Sequence, residues 1–533
     1  MSPKRIRLTG FFLMLLALLA ISWQTLAQAA TPAATDQSAA NCTPSGDTVT
    51  RGGELRLARP EEPLTFDPTV PGDNGSIYAI TQVFDTLTRV DASGTGLEPD
   101  LASSWDISSD QLTYTFHLRD AKFSNGEPVT ADDVVFSWGR AQKGSYAFIF
   151  EPVDTITKTD DHTVVIKLKR PYTPFLSVAA LFQAAIVPQD VYTAEGDDFG
   201  TKPVGSGPFM VQEYTKGDKV VLVPNPYYWE LGADCKPLPY LDKVTMSFVS
   251  DSNSRVLGFQ NGDFDVMASV PANQAASVQA MSNVTLEVAP IYRLDYVYVN
   301  HQDPVLSNKD FDLALNYAVD RSQILKLIFF GYGEIPNSFM PKENFWSKDV
   351  QPIPYDPDKA KQLIASSGYS GQTLTELIPA GDAPTKQLAT ILQQFWGQVG
   401  INVQLQEADP SSTFDTLTKG NYQLSPGYIT SDINDVDELA SLEADYHTSG
   451  FFSFFSWYKN DDVSNWLAQA RQTNDDATRA DLYAKVQQQV YWDGYSIPLN
   501  FTPVLNSYYN YVHNWKTVAT GWWWLRNVWM DAH

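Results

Sequence analysis

Leu112, Tyr114, Phe116 and Leu118 alternate with Thr113, Thr115, His117 and Arg119, the period of two that a strand with one buried face requires. Asn125-Gly126 then reads as a turn, because glycine takes positive φ without steric cost. Thr130 stands before the next apolar run with Asp132 and Asp133 close behind it, an N-cap with a spacing near that of a capping box, so a helix is predicted over 131–142. Residues 97–138 are therefore strand, turn and capped helix, and hold no catalytic pattern.

Up to residue 299 strand-like patterns dominate, for example at 55–58, 163–168 and 219–223, with short helices at 131–142 and 251–261. The character changes after Asn300. Phe311, Ala314, Leu315, Ala318 and Val319 fall on one helical face. Asp320 can start a second helix over 322–330 that Gly331 stops, and Asp356-Pro357 opens another that Gly368 ends. A strand at 374–378, a helix at 385–399 and a strand at 401–405 form a βαβ crossover, which implies a parallel pair. Two further helices are predicted at 463–472 and 477–492, before a strand-like, aromatic-rich segment at 497–529. The pattern predicts a crossing into a second α/β lobe near 295–300 and a return near 498–505.

Length and composition agree with more than one core: 533 residues are too many for a single one. The first 29 residues read as a signal peptide, with Lys4, Arg5 and Arg7, an apolar run from Phe11 to Ala20, and the small-x-small pattern Ala27-Gln28-Ala29. No cysteine adjoins that cleavage pattern, and the features together favour export to a Gram-negative periplasm. Residues 30–48 are small, polar and turn-rich, a flexible mature N-terminus. The formal charge of -25 argues against nucleic acid and anionic membrane surfaces as partners. Cys42 and Cys235 are the two cysteines; in an oxidising compartment they can pair across a very long loop, or they can be two unrelated buried thiols.

Motifs for chemistry are sparse. Gly205-Ser206-Gly207 is followed at once by Pro208 and strand-like text, so it reads as a turn opening a strand and not as a dinucleotide fingerprint. The six histidines have no ligand spacing, so neither a metal site nor a cofactor is expected. There is no G-x-S-x-G and no P-loop. Arg321 beside Asp320 reads as a surface or helix-end ion pair.

The wording of 97–138 closely resembles the signature segment of bacterial extracellular solute-binding proteins of the peptide and nickel class, the capture subunits of ABC importers. Further blocks at 204–209, 225–229, 259–266 and 310–331 resemble the family's other recurring segments. The resemblance implies an α/β, two-lobed periplasmic binding protein of class II, cluster C type. It places the first lobe at 49–297 with an extra subdomain at about 78–190, the second lobe at 298–500, and a return segment at 501–533. It further implies a monomer that binds a solute, makes no bond, and docks on membrane permease subunits.

In peptide-binding relatives, a segment similar to 427–439 carries an aspartate that holds the peptide's α-ammonium, which maps here onto Asp432. One extra residue after Tyr428, and Val436 at a place usually held by proline, depart from that pattern. Tyr428 and Trp457, near Asp432 in sequence and among dense aromatic runs (451–458 and 522–524), are the expected apolar walls. A peptide is the expected ligand. An oligosaccharide, a nickel chelate or haem in the same fold, an exported hydrolase, and a sensory protein remain the rival readings.

Overall fold

The computed structural model describes residues 42–532 apart from 47, 71, 342–349 and 448–454. The signal peptide expected over 1–29 and the segment 30–41 lie outside the described residues, as do 451–454 of the first aromatic run.

The alternation at 112–118 becomes the strand Thr113–Leu118, with Tyr114, Phe116 and Leu118 buried. Gly126 takes φ 89° in the turn, and its N–H donates to the Phe123 carbonyl at 2.8 Å. The helix is Ala131–Ala141, opened by the Thr130 N–H donating to the Asp133 carboxylate at 2.9 Å.

Three sheets organise the chain. Glu54–Arg59 lies inside a seven-stranded sheet, parallel to Lys243–Phe248 on one side and to Val266–Met267 on the other. Val504–Tyr509 completes this sheet, antiparallel to Val266–Met267 and Val284–Ala289, so the end of the chain is built into the first lobe. A four-stranded antiparallel sheet runs in the order Ala102–Ile107, Thr113–Leu118, Thr163–Leu168, Val153–Asp160. It is not a free-standing module, since Leu55 and Leu57 of the large sheet share one continuous core with its Phe116 and with Trp138.

The second lobe holds five strands, in the order Val403–Ala408, Leu374–Pro379, Leu424–Thr430, Arg293–Val299, Ser496–Phe501. Leu374–Pro379, the helix Ala383–Gln398 and Val403–Ala408 form the βαβ crossover, with Leu374 opposite Val403 in parallel register. Tyr296 and Tyr298 pack on one face with Val436 and Leu439, while Val297 and Val299 pack on the other with Trp396. This sheet begins at Arg293, so the crossing segment is itself a strand of the second lobe.

Three local details refine the sequence reading. Arg321 is buried and pairs with no acid among the described residues: it donates to the Pro498 carbonyl at 2.6 Å and to the Asn316 side chain at 2.7 Å, while Asp320 caps the helix Arg321–Leu327. The expected ion pair fails because the helix start turns the guanidinium inward onto the strand Ser496–Phe501. At Gly205 and Gly207 a Cβ would come within 2.0 Å of the Val83 carbonyl oxygen and 2.6 Å of its carbon, so these glycines permit close backbone approach before the strand Phe209–Thr215. Cys42 and Cys235 form a disulfide with a Cα–Cα distance of 5.7 Å, and the Ser45 N–H donates to the Ala233 carbonyl at 3.1 Å. The terminal segment is thereby tied down from Cys42 onward. Among the described residues no helix is long and apolar enough to cross a membrane.

Candidate functional site

Parallel strands present their carboxyl ends to ligands in open α/β sheets, and both lobes use that position here. Arg59 is the last residue of its central strand in the first lobe. Asp432 lies two residues beyond the end of the strand Leu424–Thr430, which pairs in parallel with Leu374–Pro379. Between the lobes lies a cavity of about 150 Å³ whose walls include Arg59, Tyr78, Thr520 and Trp522 from the first lobe and Arg293, Tyr428 and Asp432 from the second.

Asp432 is 9% exposed, and its Oδ2 accepts a hydrogen bond from the Tyr146 hydroxyl of the first lobe at 2.8 Å. The backbone beneath it is gathered by Glu438, whose Oε2 accepts from the Asp432 N–H at 2.7 Å, the Ile433 N–H at 3.0 Å and the Ser431 hydroxyl at 3.1 Å. Burial pushes both carboxyl pKa values up; the charge of Asp432 pushes Glu438 further, while the Tyr146 hydrogen bond pulls Asp432 back. Among the described residues no cation pairs with Asp432.

Its acidic neighbours are differently placed. Asp435 caps the helix Val436–Ala444 and pairs with Arg479 at 3.0 Å. Asp437 pairs with Arg471 at 2.8 Å, and the same guanidinium reaches Asp445 at 2.7 Å. These carboxylates therefore build the wall, and Asp432 is left to face the cavity without a countercharge.

Tyr428 is 47% exposed, with the Arg293 guanidinium 4.1 Å from its ring centroid. Arg293 is itself neutralised by Asp295 through two hydrogen bonds of 2.9 Å. Trp457 is not brought to this place. It lines a separate cavity of about 580 Å³ with His301, Asp312 and Tyr458, and its indole packs against Gly420. Trp522 and Trp523 of the second aromatic run do line the interlobe cavity.

Contacts between the lobes continue away from Asp432. The Tyr172 hydroxyl donates to Asp437 at 3.2 Å, the Ser177 hydroxyl to the Asn434 carbonyl at 3.3 Å, and the Thr173 N–H to the Arg471 carbonyl at 2.8 Å. A second interlobe cavity, of about 390 Å³, lies past Ile433 and Glu438 with Phe148, Ile149 and Leu442 in its walls. Its arginines are already paired, Arg471 as above and Arg170 with Glu151 at 2.5 Å, so it offers an apolar volume and no unmatched cation among the described residues.

Arg59, Tyr78 and Tyr146 escaped the sequence reading. Arg59 carries a usable signal, a charged residue ending an apolar strand. Tyr146 carries none, because its partner Asp432 is 286 positions away.

The probable D,D-dipeptide-binding periplasmic protein DdpA of Escherichia coli strain K12 is 28% identical over 486 residues, covering 86% of this chain and 93% of the relative. The glutathione-binding protein GsiB of the same strain is 29% identical over 453 residues, covering 82% of this chain and 86% of the relative. Among solved structures, the periplasmic binding protein DppA of Helicobacter pylori in complex with the peptide STSA superposes with a TM-score of 0.82 at 25% identity, over 91% of this chain and 99% of that one. Residues 96–450 match the family described as bacterial extracellular solute-binding proteins, family 5 Middle, and the chain belongs to that family.

Proposed function

We propose that this protein captures small peptides in the cleft between its lobes and delivers them to the permease of an ABC importer. The observation that carries the reading is the buried Asp432 carboxylate, which faces the cavity with a tyrosine hydroxyl as its donor and no paired cation among the described residues. A buried carboxylate is costly unless paired, and a peptide's α-ammonium supplies the missing charge. Closure follows from the same contact, because a ligand touching both lobes binds the closed form better than the open one. No bond is made or broken.

The relatives named for dipeptides and glutathione, and the neighbour bound to a tetrapeptide, support this ligand class. Residues 1–29 would direct export to the periplasm, where the protein acts as a monomer.

The test is a thermal-shift and calorimetric screen of the purified protein against di- to pentapeptides, glutathione, oligosaccharides, haem and nickel–histidine. Peptides are expected to stabilise it. Stabilisation by another class alone contradicts the reading.

A further inference from the structure

We infer that Arg59 is the anchor for a ligand carboxylate, so that the cleft takes a small zwitterion held at both ends. This rests on the peptide reading and extends it to the second terminus.

Arg59 is 3% exposed, yet its guanidinium is poorly satisfied. It reaches the Gly75 carbonyl at 3.3 Å, the Asn74 carbonyl at 3.4 Å and Glu61 Oε2 at 3.3 Å. All three are longer than the roughly 2.7–2.9 Å of a charge-assisted pair. Glu61, its one salt-bridge partner among the described residues, is 54% exposed, so solvent weakens what attraction there is. The buried Arg471 and the partly buried Arg89 and Arg140 are held closely by carboxylates: Arg471 by Asp445 at 2.7 Å, Arg89 by Glu230 at 2.7 Å, Arg140 by Asp67 at 2.7 Å. Arg59 has no such close carboxylate, and it lines the cavity.

Its surroundings add positive charge. Arg255, 4% exposed, donates to the backbone carbonyls of Val249 at 2.6 Å and Ser269 at 3.0 Å, and forms no salt bridge among the described residues. Ser269 is itself part of the cavity wall. The Tyr78 ring, 4.6 Å from the Arg59 guanidinium carbon, excludes water from one side of it. Burial holds the guanidinium below its ordinary pKa, as expected of an undercompensated cation. Arg293 does not compete for the anion, since Asp295 already neutralises it.

Arg59 belongs to the first lobe and Asp432 to the second. A ligand that supplies an anion to one and a cation to the other bridges the cleft, so both of its charges favour closure. A free C-terminal carboxylate becomes a requirement for tight binding, and C-terminally blocked peptides are excluded.

The experiment compares L-alanyl-L-alanine and D-alanyl-D-alanine with their C-terminal amides by isothermal titration calorimetry, on wild type, Arg59→Gln and Arg59→Lys, with folding checked by circular dichroism. On wild type, amidation is expected to weaken binding about 10–100-fold, the cost of a charge-assisted hydrogen bond. In Arg59→Gln acid and amide should converge, and Arg59→Lys should keep part of the preference. If acid and amide bind wild type alike, or if the preference survives in Arg59→Gln, the assignment is overturned while the peptide reading stands. If neither acid nor amide of either dipeptide binds, the Arg59 assignment is overturned, and the wider peptide screen above decides the peptide reading. Should Arg59→Gln not fold, the wild-type comparison and Arg59→Lys still decide.

Discussion

The Tyr146 hydroxyl donates to Oδ2 of Asp432 at 2.8 Å, linking the first lobe to the second at the wall of the interlobe cavity. Oriented in this way, the carboxylate is held ready for a ligand cation, and the closed arrangement gains a direct bond. Tyr146→Phe is therefore expected to weaken peptide binding by about tenfold or more, the cost of one hydrogen bond to a charged group. Titration calorimetry reads it. An unchanged or tighter affinity would mean that the hydroxyl merely occupies the ligand's place.

A second expectation concerns pH. Burial raises the Asp432 carboxyl to about 6 in the unliganded protein. A ligand ammonium requires the ionised form, so binding must displace a proton wherever that form is scarce. Affinity should be flat between the raised pKa and about pH 8, where the ligand's own ammonium begins to lose its proton, and fall by about tenfold per pH unit below the raised pKa. Calorimetry in buffers of differing ionisation enthalpy should detect proton release near pH 6. An affinity constant down to pH 5 would contradict the role given to Asp432.

The fold was legible wherever local pattern and tertiary burial agree. The alternation around Tyr114 and Phe116, the Thr130 cap and the 374–408 crossover all reappear as structure, since each is written within a few neighbouring residues. Arg321 was misread because its burial depends on a strand almost 180 positions later, with Pro498 accepting its hydrogen bond. The site was only half visible. Asp432 and Tyr428 could be singled out from their segment, but the structure groups them with Arg59, Tyr146 and Trp522, which come from distant parts of the chain. Trp457 shows the converse: closeness in sequence to Asp432 did not make it a neighbour in space, because the chain carries it to another cavity of the second lobe.

The disulfide should act on stability alone. Cys42 and Cys235 are 193 positions apart, and closing so long a loop reduces the entropy of the unfolded chain by an amount worth up to about 5 kcal/mol. The double substitution Cys42→Ser, Cys235→Ser should lower the denaturation midpoint and leave peptide affinity within error, since neither cysteine lines the interlobe cavity. A large loss of affinity in the folded double variant would tie the bridge to the site.

Asp432→Asn tests the central claim most directly. It keeps size and hydrogen bonding while removing the charge that a peptide ammonium would meet. For the dipeptide that binds wild type best, calorimetry should show a loss of about 30-fold or more, near 2 kcal/mol for a desolvated charge pair, and N-acetylation of that dipeptide should cost far less in the variant than in wild type. Equal affinity in wild type and Asp432→Asn would contradict the account.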